Sequence, residues 1–467
     1  MTGAFDKELQ AKPAAEEADN VALFVNPGVD PSEDAVATAF TCKYGGVLKF
    51  DHQMKSWYEW DGSYWKRDLV ERAFHFARDL ARQIGKGSGK MGKASVAGGA
   101  ERFARAHPLH AVATTIWDQD AFLLGTPEGT VDLKTGQLQT SEPTDFITKR
   151  TSVAPRAGKP TRWLQFLDEA TGGDQELVRF LQRICGYALT GDVREHALFF
   201  VYGSGKNGKS VFLNTLQRIL GEYAVTSAME TFTASRFDKH PTGFAMLRGA
   251  RLVTASETEE GRAWAEATIK QLTGGDAITA RFMAKDFFTY QPQFKLLIVG
   301  NHQPTLHNVD EATRRRFNII PFTRQPARPD LQLETKLEAE HGEILQWMID
   351  GCLEWQEFGL GKPKAVREAT EAYFDDQDLM GQWINDRCVI DNPADASRPF
   401  EETSKLFADW SSYAKAAGEE PGSQKAFGTK LNKRGFSRDR LTESTRARIY
   451  RGIALRIPDR REPYADN

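Results

Sequence analysis

The densest chemistry in this 467-residue chain lies in the run GSGKNGKSV, residues 203–211. The run fits the spacing G-x-x-x-x-G-K-[ST], with Gly203, Gly208, Lys209 and Ser210 in the fixed places. Glycines let a backbone curl until successive N–H groups point inward, which suits phosphate oxygens. Ser204, Gly205, Lys206, Asn207 and Val211 complete the candidate binding segment. Lys209 has the length to reach terminal phosphates, and the Ser210 hydroxyl is a magnesium ligand type. The expected ligand is a nucleoside triphosphate with Mg²⁺.

Such a ligand needs an acid at the end of a neighbouring strand. ARLVTASETEE supplies one: an apolar strand over residues 252–255 that ends in Ser256 and Glu257. Glu257 is the candidate for polarising an attacking water and sharing the metal with Ser210. FKLLIVGNHQP is a second apolar strand, and it stops at Asn301, whose amide can orient that water. Between them, AITARFMAKDFFTYQPQF alternates around Ala284-Lys285-Asp286 and is expected to form a long hairpin with a basic tip. EATRRRFNIIPF sets Arg314, Arg315 and Arg316 before another strand. They are either a solvated turn or an arginine finger for a neighbouring subunit's nucleotide.

The phosphate loop requires a strand before it and a helix after it. Residues 197–202 are apolar and aromatic, and VFLNTLQRIL has helical apolar spacing, so the helix would aim its positive end at the loop. Upstream, PSEDAVATAF begins with helix-start chemistry, and WYEWDGSYWKRD alternates around an Asp61-Gly62 turn. Residues 70–84 read as a basic helix, and 85–100 as a low-complexity cationic loop. GTPEGTVDLKTGQLQ carries paired turns, and residues 163–189 form two amphipathic helices split at Gly172-Gly173. After a GKPK linker, residues 400–417 and 425–435 read as helices, and TRARIYRGIALRI as a two-stranded ribbon.

With 40% hydrophobic and 27% charged residues the chain is of soluble globular type, and its length calls for several domains. No apolar stretch is long enough to span a bilayer, so no membrane partner is expected. The four cysteines lack metal-type spacing and favour a reducing, cytoplasmic setting. The net charge of -3 conceals an asymmetry. Residues 1–40 hold eight acids and two bases, whereas 425–461 hold twelve bases and three acids. The basic block suggests a polyanion site, with Lys430, Lys433 and Arg434 as candidate DNA contacts.

The order phosphate loop, strand-SE, TGGDAITARF hairpin, strand-N-H-x-P and RRRF-x-x-I-P-F resembles the superfamily 3 helicases. More narrowly, it resembles the primase-helicases of poxviruses, satellite phages and plasmids, over roughly residues 45–330. The resemblance implies a multidomain α/β protein. Residues 191–360 would be a P-loop, AAA+-like helicase core and 41–190 an α+β helicase-associated domain. Residues 361–467 would be a small winged-helix-like domain, and 1–40 an acidic, partly disordered tail. It further implies a homo-hexamer with ATP at subunit interfaces, single-stranded DNA in the pore and duplex on the C-terminal domain. Carried onto this chain, Lys209 and Ser210 serve phosphate and Mg²⁺, Glu257 is the strand-end acid and Asn301 the sensor. Lys285 lies at the DNA-contacting tip, and Arg315 or Arg316 is the finger. Residues 1–40 are too short for a polymerising primase, so a separate primase or replication protein is the expected partner in a bacterial host. The competing functions are a replication initiator or loader without processive unwinding, and a small-molecule P-loop kinase.

Overall fold

The computed structural model describes residues 32–86, 88–234, 241–257, 261–283, 286–306, 310–326, 328–390, 399–440 and 447–456, apart from the side chains of Pro241 and Glu257. Nearly all of the acidic segment 1–40, and Lys285 at the hairpin tip, lie outside the described residues.

Ser32 opens the first helix, α1 (Glu33–Tyr44), by accepting the Ala35 N–H at 3.2 Å. The strands β1 (Leu48–Asp51), β2 (Ser56–Trp60) and β3 (Trp65–Arg67) follow, and Asp61 caps the β2–β3 turn by accepting the Ser63 and Tyr64 amides. The basic helix α2 (Arg72–Ile84) forms as expected. The cationic loop, however, ends at Lys93, because residues 94–106 are a helix, α3 (Ala94–Ala106). Its alanines 97, 100 and 104 are buried, and Ala100 and Ala104 pack in one core with α1 and α2. Low complexity there reflects tight helix packing rather than a loop. Strand β4 (Ala111–Val112) completes a sheet ordered β3-β2-β1-β4.

Next come an antiparallel meander, β5 (Leu123–Thr126), β6 (Gly129–Asp132) and β7 (Gln137–Gln139), and two helices, α4 (Thr161–Thr171) and α5 (Gln175–Leu189). The following segment alternates strands and helices: β8 (Leu198–Tyr202), α6 (Lys209–Leu220), β9 (Ala224–Thr226), α7 (Pro241–Ala245), β10 (Leu252–Glu257) and α8 (Glu266–Thr273). A short hairpin, β11 (Ile278–Ala280) with β12 (Phe288–Tyr290), precedes β13 (Lys295–Gly300), α9 (Glu311–Arg316) and β14 (Phe317–Pro321). Helices α10 (Leu333–Glu338), α11 (His341–Phe358) and α12 (Lys364–Gln377) close this part.

Five of these strands form one parallel sheet, ordered β14-β8-β13-β10-β9. Both faces are covered, which explains why the strands read as continuous apolar runs. Alternate residues serve alternate faces. Phe199, Val201, Leu297 and Val299 join Trp163, Phe212 and Trp347 in one core, whereas Leu198, Phe200, Leu296 and Ile298 join Trp264 and Phe317 in another. The first core also takes in Leu124, Val131 and the α4–α5 pair, so apolar packing runs uninterrupted across residue 190. At the crossing of α5 and α11, Gly186 lies against the backbone of Gly351 and Cys352.

Helix α12 packs on the sheet's edge strand. Thr370 Oγ1 accepts the Ile319 N–H at 3.1 Å, Tyr373 donates to the Pro304 carbonyl, and Gln377 accepts the Leu306 N–H at 3.1 Å. Asp378 then ends α12 and caps α13 (Leu379–Arg387). The remaining elements are β15 (Cys388–Ile390), β16 (Phe400–Glu402), α14 (Thr403–Ala416), α15 (Gln424–Lys433), β17 (Ser437–Arg440), β18 (Arg448–Arg451) and β19 (Ile453–Leu455). They pack around Trp383, Leu406, Trp410 and Phe427. The expected ribbon over TRARIYRGIALRI is not a pair of strands facing each other. Gly452, at φ 89°, divides the run, so β18 joins β16 and β17 while β19 pairs with β15. Among the described residues no helix is long and apolar enough to cross a membrane.

Candidate functional site

The GSGKNGKS run joins β8 to α6, the strand–loop–helix arrangement its spacing requires. Gly208 is the residue before the helix. Its φ of 88° lies in the left-handed region, and a Cβ there would meet the Phe166 ring at 2.6 Å. Both facts demand glycine. Lys209 is the first helical residue and only 7% exposed. Its Nζ donates to the Gly203 carbonyl at 2.7 Å and to Asn207 Oδ1 at 2.9 Å. Burial pushes its pKa down. Asn207 is buried too, and its amide donates to the Phe322 carbonyl. Ser204, Lys206 and Ser210 are exposed, whereas Val211 packs against the core.

Among the described residues, the loop's buried ammonium has only neutral hydrogen-bond partners, and it lies beside the unpaired N–H groups of a twelve-residue helix. An ammonium held by neutral partners at a helix N-terminus suits polyanionic phosphate, and the residues present fit a nucleoside triphosphate.

The sheet register assembles the other candidates. Glu257 is paired with Gly300 on β13, and Gly300 with Tyr202 on β8. Strands lie about 4.8 Å apart, so the Glu257 backbone is roughly 10 Å from that of Tyr202, with Asn301 leaving β13 between them. Asn301 is exposed at this edge. The Glu257 side chain lies outside the description, but its backbone ends β10 here.

Arg314, Arg315 and Arg316 fall at the opposite edge. They close α9 and enter β14, whose Phe317 pairs with Leu198 and whose Pro321 pairs with Tyr202. Phe317, directly after the triplet, lies four strand steps of about 3.3 Å, roughly 13 Å, from the level of Tyr202, so the arginines stand at least that far from their own phosphate loop. The three differ in freedom. Arg314 lies over the Phe374 ring at 4.8 Å, Arg316 donates to the Ala312 carbonyl at 2.8 Å, and the Arg315 side chain is exposed. Asp310 caps the helix; burial works against its charge, yet donation from Lys270 and Thr313 holds its pKa down at about 2.

The hairpin exists, with strands of only three residues. Next to its tip, Phe282 stacks on Phe288, Arg281 lies over Phe287 at 4.8 Å, and Met283 is 77% exposed. The sequence reading singled out Lys285 and overlooked Arg281, although Arg281 precedes Phe282 directly. In the C-terminal part, Lys430 and Lys433 are exposed along α15 and, among the described residues, make no ion pair. Arg434 is engaged differently, reaching back to Asp378. Also unanticipated is the stretch after β14, where Gln325 Nε2 donates to the Gly205 carbonyl at 3.1 Å. Its one sequence signal is a polar TRQ directly behind an apolar strand.

Residues 37–172 match the family described as D5 N terminal like, and residues 201–316 match a family of unknown function (DUF5906). "Putative helicase 022R" of Frog virus 3 is 25% identical over 51% of this chain and 27% of its own length. "Putative helicase L207/L206" of Acanthamoeba polyphaga mimivirus is 24% identical over 59% of this chain and 31% of its own. "Putative primase C962R" of African swine fever virus (isolate Tick/Malawi/Lil 20-1/1983) is 21% identical over 47% of this chain and 25% of its own. The chain therefore spans about a third or less of these relatives. Among solved structures, the apo C-terminal region of NrS-1 covers 91% of this chain and all of its own, at 11% identity and a TM-score of 0.48. The N-terminal module and these viral relatives together support placing the chain with the superfamily 3 primase-helicases of phages and viruses.

Proposed function

We propose that the chain is the ATP-driven, ring-forming helicase motor of a DNA replication protein, acting in the cytoplasm of a host cell. The observation that carries this reading is the register of the five-stranded sheet, which aligns the phosphate loop, Asn301 and Glu257 on consecutive strands. Residues 191–360 then act as an AAA+-like core, 41–190 as its associated domain and 361–467 as a winged-helix-like duplex-binding domain. When bound, Mg·ATP supplies the scissile phosphoanhydride and the metal charge that neutralises it. Lys209 binds phosphate oxygens at the loop, and Ser210 Oγ and Glu257 would hold the metal's shell. Glu257 also orients the attacking water, and Asn301 holds that water from the side. Arg315 serves the loop of an adjacent subunit, since it stands at the edge opposite its own. Lys285, Lys430 and Lys433 meet DNA phosphates.

The test is the ATP hydrolysis rate with and without single-stranded DNA, run alongside displacement of a forked duplex. Stimulation together with displacement is expected. Stimulation without displacement would leave a loader, and turnover indifferent to DNA would remove nucleic acid from the account.

A further inference from the structure

The four residues after β14 run along the phosphate loop and are fastened to it at both ends. Phe322 N–H donates to the Tyr202 carbonyl at 2.8 Å, and the Phe322 carbonyl accepts from Asn207. Three residues on, Gln325 donates to Gly205. Arg324 stands between these fastenings with an exposed side chain. Its stem lies along the last turn of α4, where a Cβ on Gly172 would come within 3.0 Å of Arg324 Nε. Among the described residues Arg324 makes no hydrogen bond and no ion pair. The acids of that turn are otherwise occupied: Asp168 accepts from Gln175 at 2.7 Å, and Glu169 from Gln165 at 2.8 Å. A guanidinium without a described acidic partner is thus held beside a loop whose own cation, Lys209, has only neutral partners among the described residues.

We propose that Arg324 is a nucleotide-binding residue acting within its own subunit, its guanidinium donating to phosphate oxygens of the nucleotide on the Gly203–Ser210 loop. The proposal rests on the nucleotide reading above and adds a contact that reading does not contain. Guanidinium matches phosphate geometry with paired donors, and its planar fork loses less freedom per bond than a lysine would. Arg324 therefore complements Arg315. The two lie at opposite edges of one sheet, so Arg324 serves the site in its own chain and Arg315 the site next door.

The experiment is equilibrium titration of the full chain with a fluorescent ADP analogue and Mg²⁺, backed by competition with adenosine, ADP and ATP. Arg324→Ala should weaken ADP and ATP roughly 10- to 150-fold, the span of a charge-assisted hydrogen bond. It should leave adenosine unchanged, and Arg324→Lys should recover part of the loss. Equal ADP affinity in Arg324→Ala and wild type, with Lys209→Ala defective, would overturn the proposal and leave the nucleotide reading standing. A wild-type chain that binds no nucleotide would remove both. Mixing Arg324→Ala with Lys209→Ala subunits should give no recovery of turnover, because both defects fall in the same chain's site. Recovery would move Arg324 to a neighbour's site and overturn the assignment. Because the side chain is exposed, the melting temperature of Arg324→Ala should match wild type.

Discussion

Mixing two inactive variants tests whether one catalytic site is shared between two chains. Arg315 is the exposed member of the arginine triplet, and strand register separates it from its own phosphate loop by at least roughly 13 Å, beyond one arginine's reach. Arg315→Ala should therefore silence the neighbour's site while its own loop keeps Lys209. An arginine finger is worth about 10³–10⁵ in turnover, so each homogeneous variant, Arg315→Ala or Lys209→Ala, should be near background. In a head-to-tail ring assembled from equal amounts of the two, a site needs Lys209 from one subunit and Arg315 from the next. Random assembly meets both conditions at about a quarter of the interfaces, whatever the ring number. Turnover per subunit should accordingly climb to roughly a quarter of wild type at equal mixing and fall away on either side. The assay is steady-state phosphate release against mixing ratio, with subunit exchange followed by energy transfer between labelled chains. A flat response in rings that do exchange would refute the shared site. Arg316→Ala, whose guanidinium turns back to the Ala312 carbonyl of its own helix, should retain far more turnover than Arg315→Ala.

Lys209→Ala should lose binding of a fluorescent ADP analogue yet keep a cooperative thermal transition, since the lysine's partners are the loop's own Gly203 carbonyl and Asn207 amide oxygen; nucleotide affinity equal to wild type would remove the central assignment. Gly186→Ala should lower the urea midpoint. A methyl there would sit 2.1 Å from Cys352 N and 2.4 Å from the Gly351 carbonyl carbon, and overpacking of about 1–3 kcal/mol exceeds the helix-propensity gain of about 1 kcal/mol; an unchanged or raised midpoint would show that α5 and α11 part easily. Asp310 has its pKa held at about 2, below the ordinary 3.8, so its stabilisation is complete above pH 4 and is lost as pH falls toward 2. The gap in urea midpoint between wild type and Asp310→Asn should therefore narrow from pH 5 to pH 3, and a constant gap would contradict the Lys270 pairing.

Much of the site was legible because it is written in short-range patterns. The loop, the strands ending at Glu257 and Asn301, and the split at Gly172-Gly173 each depend on neighbours within about ten positions. What escaped depends on contacts made at long range. Asn207 looks like loop filler until Phe322, 115 residues on, accepts its amide. The opposed placement of Lys209 and the arginines follows from which ends of β8 and β14 are adjacent, and no local pattern states a strand order. The α3 stretch misled for a different reason. Glycine and alanine read as flexible in isolation, but here they allow three helices to approach closely. A local alternation cannot reveal that the two halves of TRARIYRGIALRI, divided at Gly452, belong to different sheets.

Helix α12 is rooted in two places of the parallel-sheet part: the edge strand β14 behind the arginines, and the Pro304–Leu306 segment beyond the strand that leads to Asn301. Its far end is Asp378, which also starts α13 and is gripped by Arg434 at the end of the lysine-bearing helix α15. Fourteen residues make a rod of about 21 Å. With Gln377 anchored at Leu306 and Asp378 directly after it, a shift between the strand leading to Asn301 and the arginine-bearing edge reaches the base of the lysine-bearing helix without a lever arm: in mechanical terms α12 is a coupling rod.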